Sequence, residues 1–217
     1  MIVNKEIIMK LNLPNKLTVL RLCLVPVLII FGMLPESLIP ALISNTVCAA
    51  LFIGTAITDM LDGKIARRDN LITDFGKFLD PVADKFMVIG AMFVILYKFD
   101  SLRTIMIFAL LIVVFRELAV TSMRLVVSTG QNIVVAANKL GKIKTVTQIV
   151  AISTVFLEPV VQKVTELIVE LIVKKDLNFC TGIIPLTWSS LALALFFTVW
   201  SGLSYIKAYW KYLDPEK

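Results

Sequence analysis

The chain has 217 residues, 58% of them hydrophobic, with a mean hydropathy of +0.88 and a formal net charge of +6. A soluble domain is apolar over roughly 45–50% of its residues, so this composition excludes one and identifies an integral membrane protein. The absence of histidine excludes imidazole acid–base chemistry and His-ligated zinc, while Cys23, Cys48 and Cys180 show neither metal-ligand spacing nor a disulfide framework and read as small hydrophobes.

The first ten residues, MIVNKEIIMK, hold only short apolar pieces. The first long apolar run carries Arg21 and Pro26 and has no small-residue cleavage site behind it, so no cleaved signal peptide is expected. At roughly 20 apolar residues per crossing, the pattern predicts an all-α protein with six transmembrane helices near 17–34, 38–59, 80–97, 103–127, 141–157 and 183–205. The expected organisation is a cytoplasmic segment 1–16, a six-helix membrane domain 17–205 and a cytoplasmic tail 206–217. Residues 158–178 fit two descriptions. Gln162, Lys163, Glu166 and Glu170 recur at roughly helical intervals, which suits either an amphipathic helix along the interface or a tilted continuation of the fifth span. Trp188, Trp200, Tyr205 and Trp210 are expected as interfacial anchors.

Cytoplasmic loops of membrane proteins are enriched in Lys and Arg. With the N-terminus inside, sixteen of the 22 basic residues fall on the cytoplasmic side. Lys98, Arg103, Lys163, Lys174 and Lys175 fall on the other, and Arg116 lies within a span. This bias accounts for the positive charge, which calls for anionic lipid headgroups and for no nucleic acid.

Against that background stands residues 58–85, TDMLDGKIARRDNLITDFGKFLDPVADK. Asp59 and Asp62 are three apart and share one face at the cytoplasmic end of the second span; Asp80 and Asp84 are four apart at the start of the third. Antiparallel neighbours would bring these four carboxylates into one pocket, where their repulsion is relieved by divalent cations, for which hard oxygen donors are suited. Four carboxylates exceed what one magnesium ion takes from protein, so two ions are expected. Gly63 allows close backbone approach, Ala66 is small, Arg67 can fork onto phosphate oxygens, and Gly76 would let the returning chain lie close to a ligand. Metals, an arginine and glycines beside a lipid phase point to displacement at the phosphorus of a diphosphate lipid. Read singly these residues have plainer uses: Asp80 before Pro81 is a usual helix N-cap, and Asp69 and Asp74 outside the pattern read as solvated loop residues.

The spacing D-x-x-D-G-x-x-A-R, eight residues, G-x-x-x-D-x-x-x-D, filled by Asp59, Asp62, Gly63, Ala66, Arg67, Gly76, Asp80 and Asp84, resembles the signature of the CDP-alcohol phosphotransferase family. Three further stretches, LPNKLTVLR (13–21), FRELAVTSMR (115–124) and GKIKTVTQ (141–148), are similar to the branch of that family that makes phosphatidylglycerophosphate in bacteria. The resemblance implies a six-span bundle, commonly a homodimer, in the cell membrane with its active site facing the cytoplasm. It implies transfer of a phosphatidyl group from CDP-diacylglycerol to glycerol 3-phosphate, giving phosphatidylglycerophosphate and CMP. By the same resemblance Asp59, Asp62 and Asp80 hold two divalent metal ions, magnesium or manganese; Asp84 completes the site and is the catalytic base; and Gly63, Ala66, Arg67 and Gly76 line the CDP-diacylglycerol site.

An acceptor bearing a phosphate needs a second, cationic pocket. Arg116, a charge within a span, is the leading candidate, with Arg124 and Lys142 beside it, although Glu117 offers Arg116 an ordinary helix-pairing use. Thr18 and Arg21 belong to a matched stretch without an evident task. The alternatives are a sister activity of the family, forming cardiolipin, phosphatidylinositol phosphate or phosphatidylserine, and, from another class, a cation transporter. The clustering of acids at one face rather than mid-membrane weighs against transport.

Overall fold

A computed structural model of the chain describes residues 12–68, 73–131, 139–173 and 185–210. Six helices make it up: α1 (Leu13–Met33), α2 (Ala41–Arg68), α3 (Asp74–Lys98), α4 (Arg103–Gln131), α5 (Lys139–Val173) and α6 (Pro185–Tyr209), with one 3₁₀ turn, Asp100–Leu102, before α4. By length and composition α1, α2, α4, α5 and α6 can each cross a membrane. The charges of Asp84, Lys85 and Lys98 keep α3 out of that set. Its 25 residues nonetheless reach about 37 Å at 1.5 Å per residue, and Met87, Ala91, Val94 and Ile95 bury one face in the bundle. The chain is thus the all-helical membrane bundle its hydropathy predicts.

Helix contacts close a ring in the order α1, α2, α5, α6, α4, α3 and back to α1, with α3 also touching α5 across it. Every helix gives apolar side chains to the interior, among them Leu28, Phe52, Ile95, Met106, Phe156 and Leu191. Cys48 is fully buried among them as a small hydrophobe. On α1 the buried positions Pro14, Thr18, Arg21, Val25, Leu28 and Gly32 form one stripe, spaced alternately by four and three residues as a packed helix seam requires.

Several ends differ from the predicted ones for local reasons. α3 starts at Asp74 rather than near residue 80, because the Thr73 hydroxyl caps it by accepting from the Gly76 amide at 3.1 Å. Asp74 then sits in the first turn, where a carboxylate complements the helix dipole. It is not a loop residue; Lys77 donates to it at 2.9 Å and holds its carboxyl below the usual range. Asp80 is therefore no N-cap, and Pro81 lies inside the helix. Asp69 lies outside the described residues. α5 runs unbroken through Pro159 to Val173, so residues 158–173 prolong the fifth span instead of forming a separate interfacial helix. Glu158 turns inward there and accepts from the Thr187 hydroxyl of α6, which ties this half of α5 to its neighbour. Residues 174–178 lie outside the described residues.

α1 and α3 approach closely because glycines stand at their crossing. A Cβ at Gly32 would fall 2.2 Å from Val94 Cγ1, and one at Gly90 would fall 2.8 Å from Val25 Cγ1. Gly32→Ala is expected to lower the unfolding temperature in detergent: overpacking costs about 1–3 kcal/mol, more than the ~1 kcal/mol alanine gains over glycine in a helix. Gly54→Ala, with no atom within 4 Å of the added Cβ, should leave that temperature unchanged or raise it. Equal shifts for the two variants would contradict the packing account.

Candidate active site

The carboxylates expected to meet do so. The end of α2 supplies Asp59 and Asp62 and the first half of α3 supplies Asp80 and Asp84, and α1 holds all four. Arg21, its side chain fully buried, places Nη1 2.6 Å from Asp59 Oδ1 and 2.9 Å from Asp84 Oδ1, and pairs Nη2 with Asp62 Oδ2. The Thr18 hydroxyl donates to Asp80 Oδ1 at 2.7 Å. One turn earlier, Asn15 donates to the Thr73 hydroxyl at 2.9 Å and so fastens α1 to the start of α3. Gly76 faces this fastening: a Cβ there would lie 2.9 Å from Asn15 Oδ1. Its lack of a side chain thus serves the approach of α1, as well as leaving the neighbouring space open.

A cationic group stands on α4 and α5. Arg116 lies 3.0 Å from Glu117 Oε1 and donates to Ser201 Oγ at 3.0 Å, and Lys144 of α5 also pairs with Glu117 Oε1. Arg116, Glu117 and Lys144 are nearly buried, with side chains 11%, 14% and 8% exposed. Arg124 donates to the Tyr205 hydroxyl at 2.5 Å and lies over its ring, 4.9 Å from the centroid. Tyr205 itself is 2% exposed. It is therefore not an interfacial anchor: its ring is needed inside, between the arginines of α4 and the wall of α5, whereas Trp188, Trp200 and Trp210 are exposed as anchors are. Gly202 makes room for the Arg116 stem, since a Cβ there would lie 3.1 Å from Arg116 Cγ.

Both groups border one cavity of about 940 Å³. α2 and α3 contribute Asp59, Asp62, Gly63, Lys64, Gly76, Lys77 and Asp80 to its lining, and α4, α5 and α6 contribute Arg116, Glu117, Arg124, Lys142, Lys144 and Tyr205. Ile53, Ile57 and Met60 of α2 face Val146, Ile149 and Val150 of α5 in an apolar part of the same wall. Asp84 is not among the lining residues; its side chain is half-exposed and joined to Arg21. Ala66 and Arg67 fall in the last turn of α2, with side chains outside the described residues.

The donor set suits a hard divalent ion in kind, being four carboxylates held at one end of the bundle. Among the described residues no three acidic side chains converge as metal ligands, and three of these four turn one oxygen toward Arg21. The contacts with α1 engage Oδ1 of Asp59, Asp80 and Asp84 and Oδ2 of Asp62, so the four residues fit such ions in donor chemistry and in their shared end of the bundle.

Arg21, Thr18 and Lys144 had no task in the sequence reading, and Glu117 only that of pairing with Arg116. For Arg21 and Thr18 a signal existed, because both fall in the matched stretch LPNKLTVLR and Arg21 is a charge in the first long apolar run. Glu117 and Lys144 meet only through the packing of α4 and α5 about α6, which no local spacing encodes.

The sequence profile of the CDP-alcohol phosphatidyltransferase family matches residues 11–200. The chain is similar to a CDP-diacylglycerol–glycerol-3-phosphate 3-phosphatidyltransferase of Bacillus subtilis, 39% identical over 94% of this chain and 98% of the relative. Relatives with the same name from Rickettsia felis and Salmonella choleraesuis are each 37% identical, over 67% and 70% of this chain and 75% and 80% of their own. The helical bundle, the joined carboxylates and these matches lead to one statement of kinship: the chain belongs to the CDP-alcohol phosphatidyltransferase family.

Proposed function

We propose that the protein is a multi-pass membrane transferase that moves the phosphatidyl group of CDP-diacylglycerol onto glycerol 3-phosphate, forming phosphatidylglycerophosphate and CMP. The observation that carries this reading is that the aspartates on α2 and α3 and the cations on α4 and α5 border one cavity. A donor diphosphate and an acceptor phosphate need different partners, and the two groups supply them. The names of the relatives point to the same donor and acceptor.

Enzymes of this family generally depend on a divalent metal, and Asp59, Asp62, Asp80 and Asp84 are the residues that would hold two ions, magnesium or manganese. When bound, such ions would withdraw charge from the diphosphate as CMP leaves. The protein's own groups would do the rest. Asp84, four residues along α3 from the lining Asp80, would accept the proton of the acceptor hydroxyl as its oxygen bonds to the phosphatidyl phosphorus and the bond from that phosphorus to the CMP oxygen breaks. Arg116, Arg124 and Lys142, with Lys144, would hold the acceptor phosphate. Gly63, Ala66, Arg67 and Gly76 would lie along the CDP part, and the apolar stretch between α2 and α5 would face the acyl chains. The Lys and Arg bias supports a cytoplasmic setting for this end of the bundle, and the family resemblance supports a homodimer in the cell membrane as the working unit.

CMP release by purified protein in detergent, with CDP-diacylglycerol, magnesium and one acceptor at a time, tests the assignment. Release with glycerol 3-phosphate and not with serine, inositol phosphate or phosphatidylglycerol is expected; the reverse selectivity would transfer the protein to a sister activity. Asp84→Asn should lower kcat by about 10²–10⁴-fold, the range for loss of a general base, in a protein whose unfolding temperature is maintained. Arg116→Ala should raise KM for glycerol 3-phosphate by about tenfold to a hundredfold, the equivalent of one charged hydrogen bond at ~1.5–3 kcal/mol, with a smaller effect on KM for the donor. EDTA should stop turnover and added magnesium or manganese restore it; turnover that survives thorough chelation would remove the metal assignment.

A further inference from the structure

A guanidinium enclosed in a membrane bundle is retained only where carboxylates surround it, and Arg21 is placed where three of them meet, with Asp59 and Asp84 at 2.6 and 2.9 Å and Asp62 beside them. Each contact engages a single carboxylate oxygen, and Thr18 engages Asp80 in the same way at 2.7 Å. Asp59, Asp62 and Asp80 line the cavity whereas Arg21 does not. The guanidinium therefore reaches the carboxylates from the side of the protein, away from the ligand space. One positive charge among four carboxylates also leaves the group net negative, so the cluster keeps its attraction for cations.

We propose that Arg21 is a positioning residue, the permanent counter-cation of the carboxylate site: it holds Asp59, Asp62 and Asp84 in register while divalent ions are absent and remains behind them when ions bind. The assignment rests on the reading of these aspartates as metal ligands. Outer partners that fix ligand orientation are a general feature of metal sites, and here the partner carries charge, which has two opposite consequences. Arg21 makes the metal-free protein stable, and it weakens the binding of each dication by repulsion. A side chain that merely filled space would do neither, and its loss would lower stability equally with and without metal.

The test uses the full chain in detergent, comparing unfolding temperatures in EDTA and in manganese chloride, with Mn²⁺ binding followed by the electron paramagnetic resonance signal of the free ion. Arg21→Gln should unfold roughly 5–15 °C lower than wild type in EDTA, as removal of one partner from a buried ion cluster implies. It should recover most of that loss in manganese, and it should bind Mn²⁺ on the order of tenfold more tightly. Arg21→Lys, which keeps the charge and loses the fork, should fall between the two. Adding Asp62→Asn to Arg21→Gln should restore stability in EDTA by removing one of the repelling charges. Equal losses in EDTA and manganese with unchanged Mn²⁺ affinity would overturn the role of Arg21 and leave the metal reading standing. A double variant no more stable than the single one, whether or not the single one folds, would do the same. Absence of Mn²⁺ binding to the wild-type protein would overturn both.

Discussion

Four carboxylates at one end of an apolar bundle must be neutralised where they stand, and Arg21 meeting Asp59, Asp62 and Asp84 is the contact that allows it. The contact depends on helix register more than on any loop. Thr18 and Arg21 are three apart, Asp59 and Asp62 three apart, and Asp80 and Asp84 four apart, so three helices each turn a pair of groups toward one point. It depends equally on how near α1 comes to α3. Farther along the same stripe of α1, Gly32 lies against Val94, and Gly90 of α3 lies against Val25. Small residues at the crossing bring the helix axes close, and at the other end that closeness lets Arg21 and Thr18 reach the carboxylates.

The cationic group on α4 and α5 follows the same rule with the signs exchanged. Glu117 stands among Arg116, Lys144 and, farther off, Lys85, whose Nζ donates to Thr121 at 2.5 Å. Each group thus encloses a charge of the other sign, Arg21 among acids and Glu117 among bases. Such a resident charge keeps like charges together at low dielectric without cancelling them. The cavity is thus bordered by carboxylates on α2 and α3 and by a cationic group on α4 and α5, and the cations Arg116, Arg124, Lys142 and Lys144 would draw an anionic ligand toward α4 and α5.

Much of this was legible in the sequence, and what was not has a common cause. Hydropathy gave the helical membrane bundle, and helical periodicity gave the pairing of the aspartates, because both are properties of consecutive residues. The start of α3 was misread at Asp80 and Pro81, an ordinary helix-start pair, since the stronger cap, Thr73 with the Gly76 amide, lay seven residues earlier in polar sequence that resembles a loop. Tyr205 was misread because an aromatic near the end of a span is usually interfacial; its burial comes from Arg124, 81 positions away. Arg21 lies 41 positions from Asp62 and 63 from Asp84, and separations of that order have no trace in local spacing. Its place in the first long apolar run, within a stretch similar to the family, was the readable sign that this charge had a use.

The ring order adds a constraint on what the cavity can admit. α2 and α5 are neighbours in the ring, and Ile53, Ile57 and Met60 precede or interleave with Asp59 and Asp62 on the same two turns of α2, while Val146, Ile149 and Val150 of α5 follow Lys142 and Lys144. On each of these helices the wall passes from apolar to charged within about two turns, roughly 11 Å of helix axis. That is a short distance compared with a hydrocarbon core of about 30 Å. An amphiphile seated there would have its polar part fixed in depth by the carboxylates and its chains directed toward the lipid phase by the same helix. A water-soluble phosphate would approach from the charged end. The two kinds of reactant in the proposed transfer would then meet at one level because α2 and α5 each change character at that level.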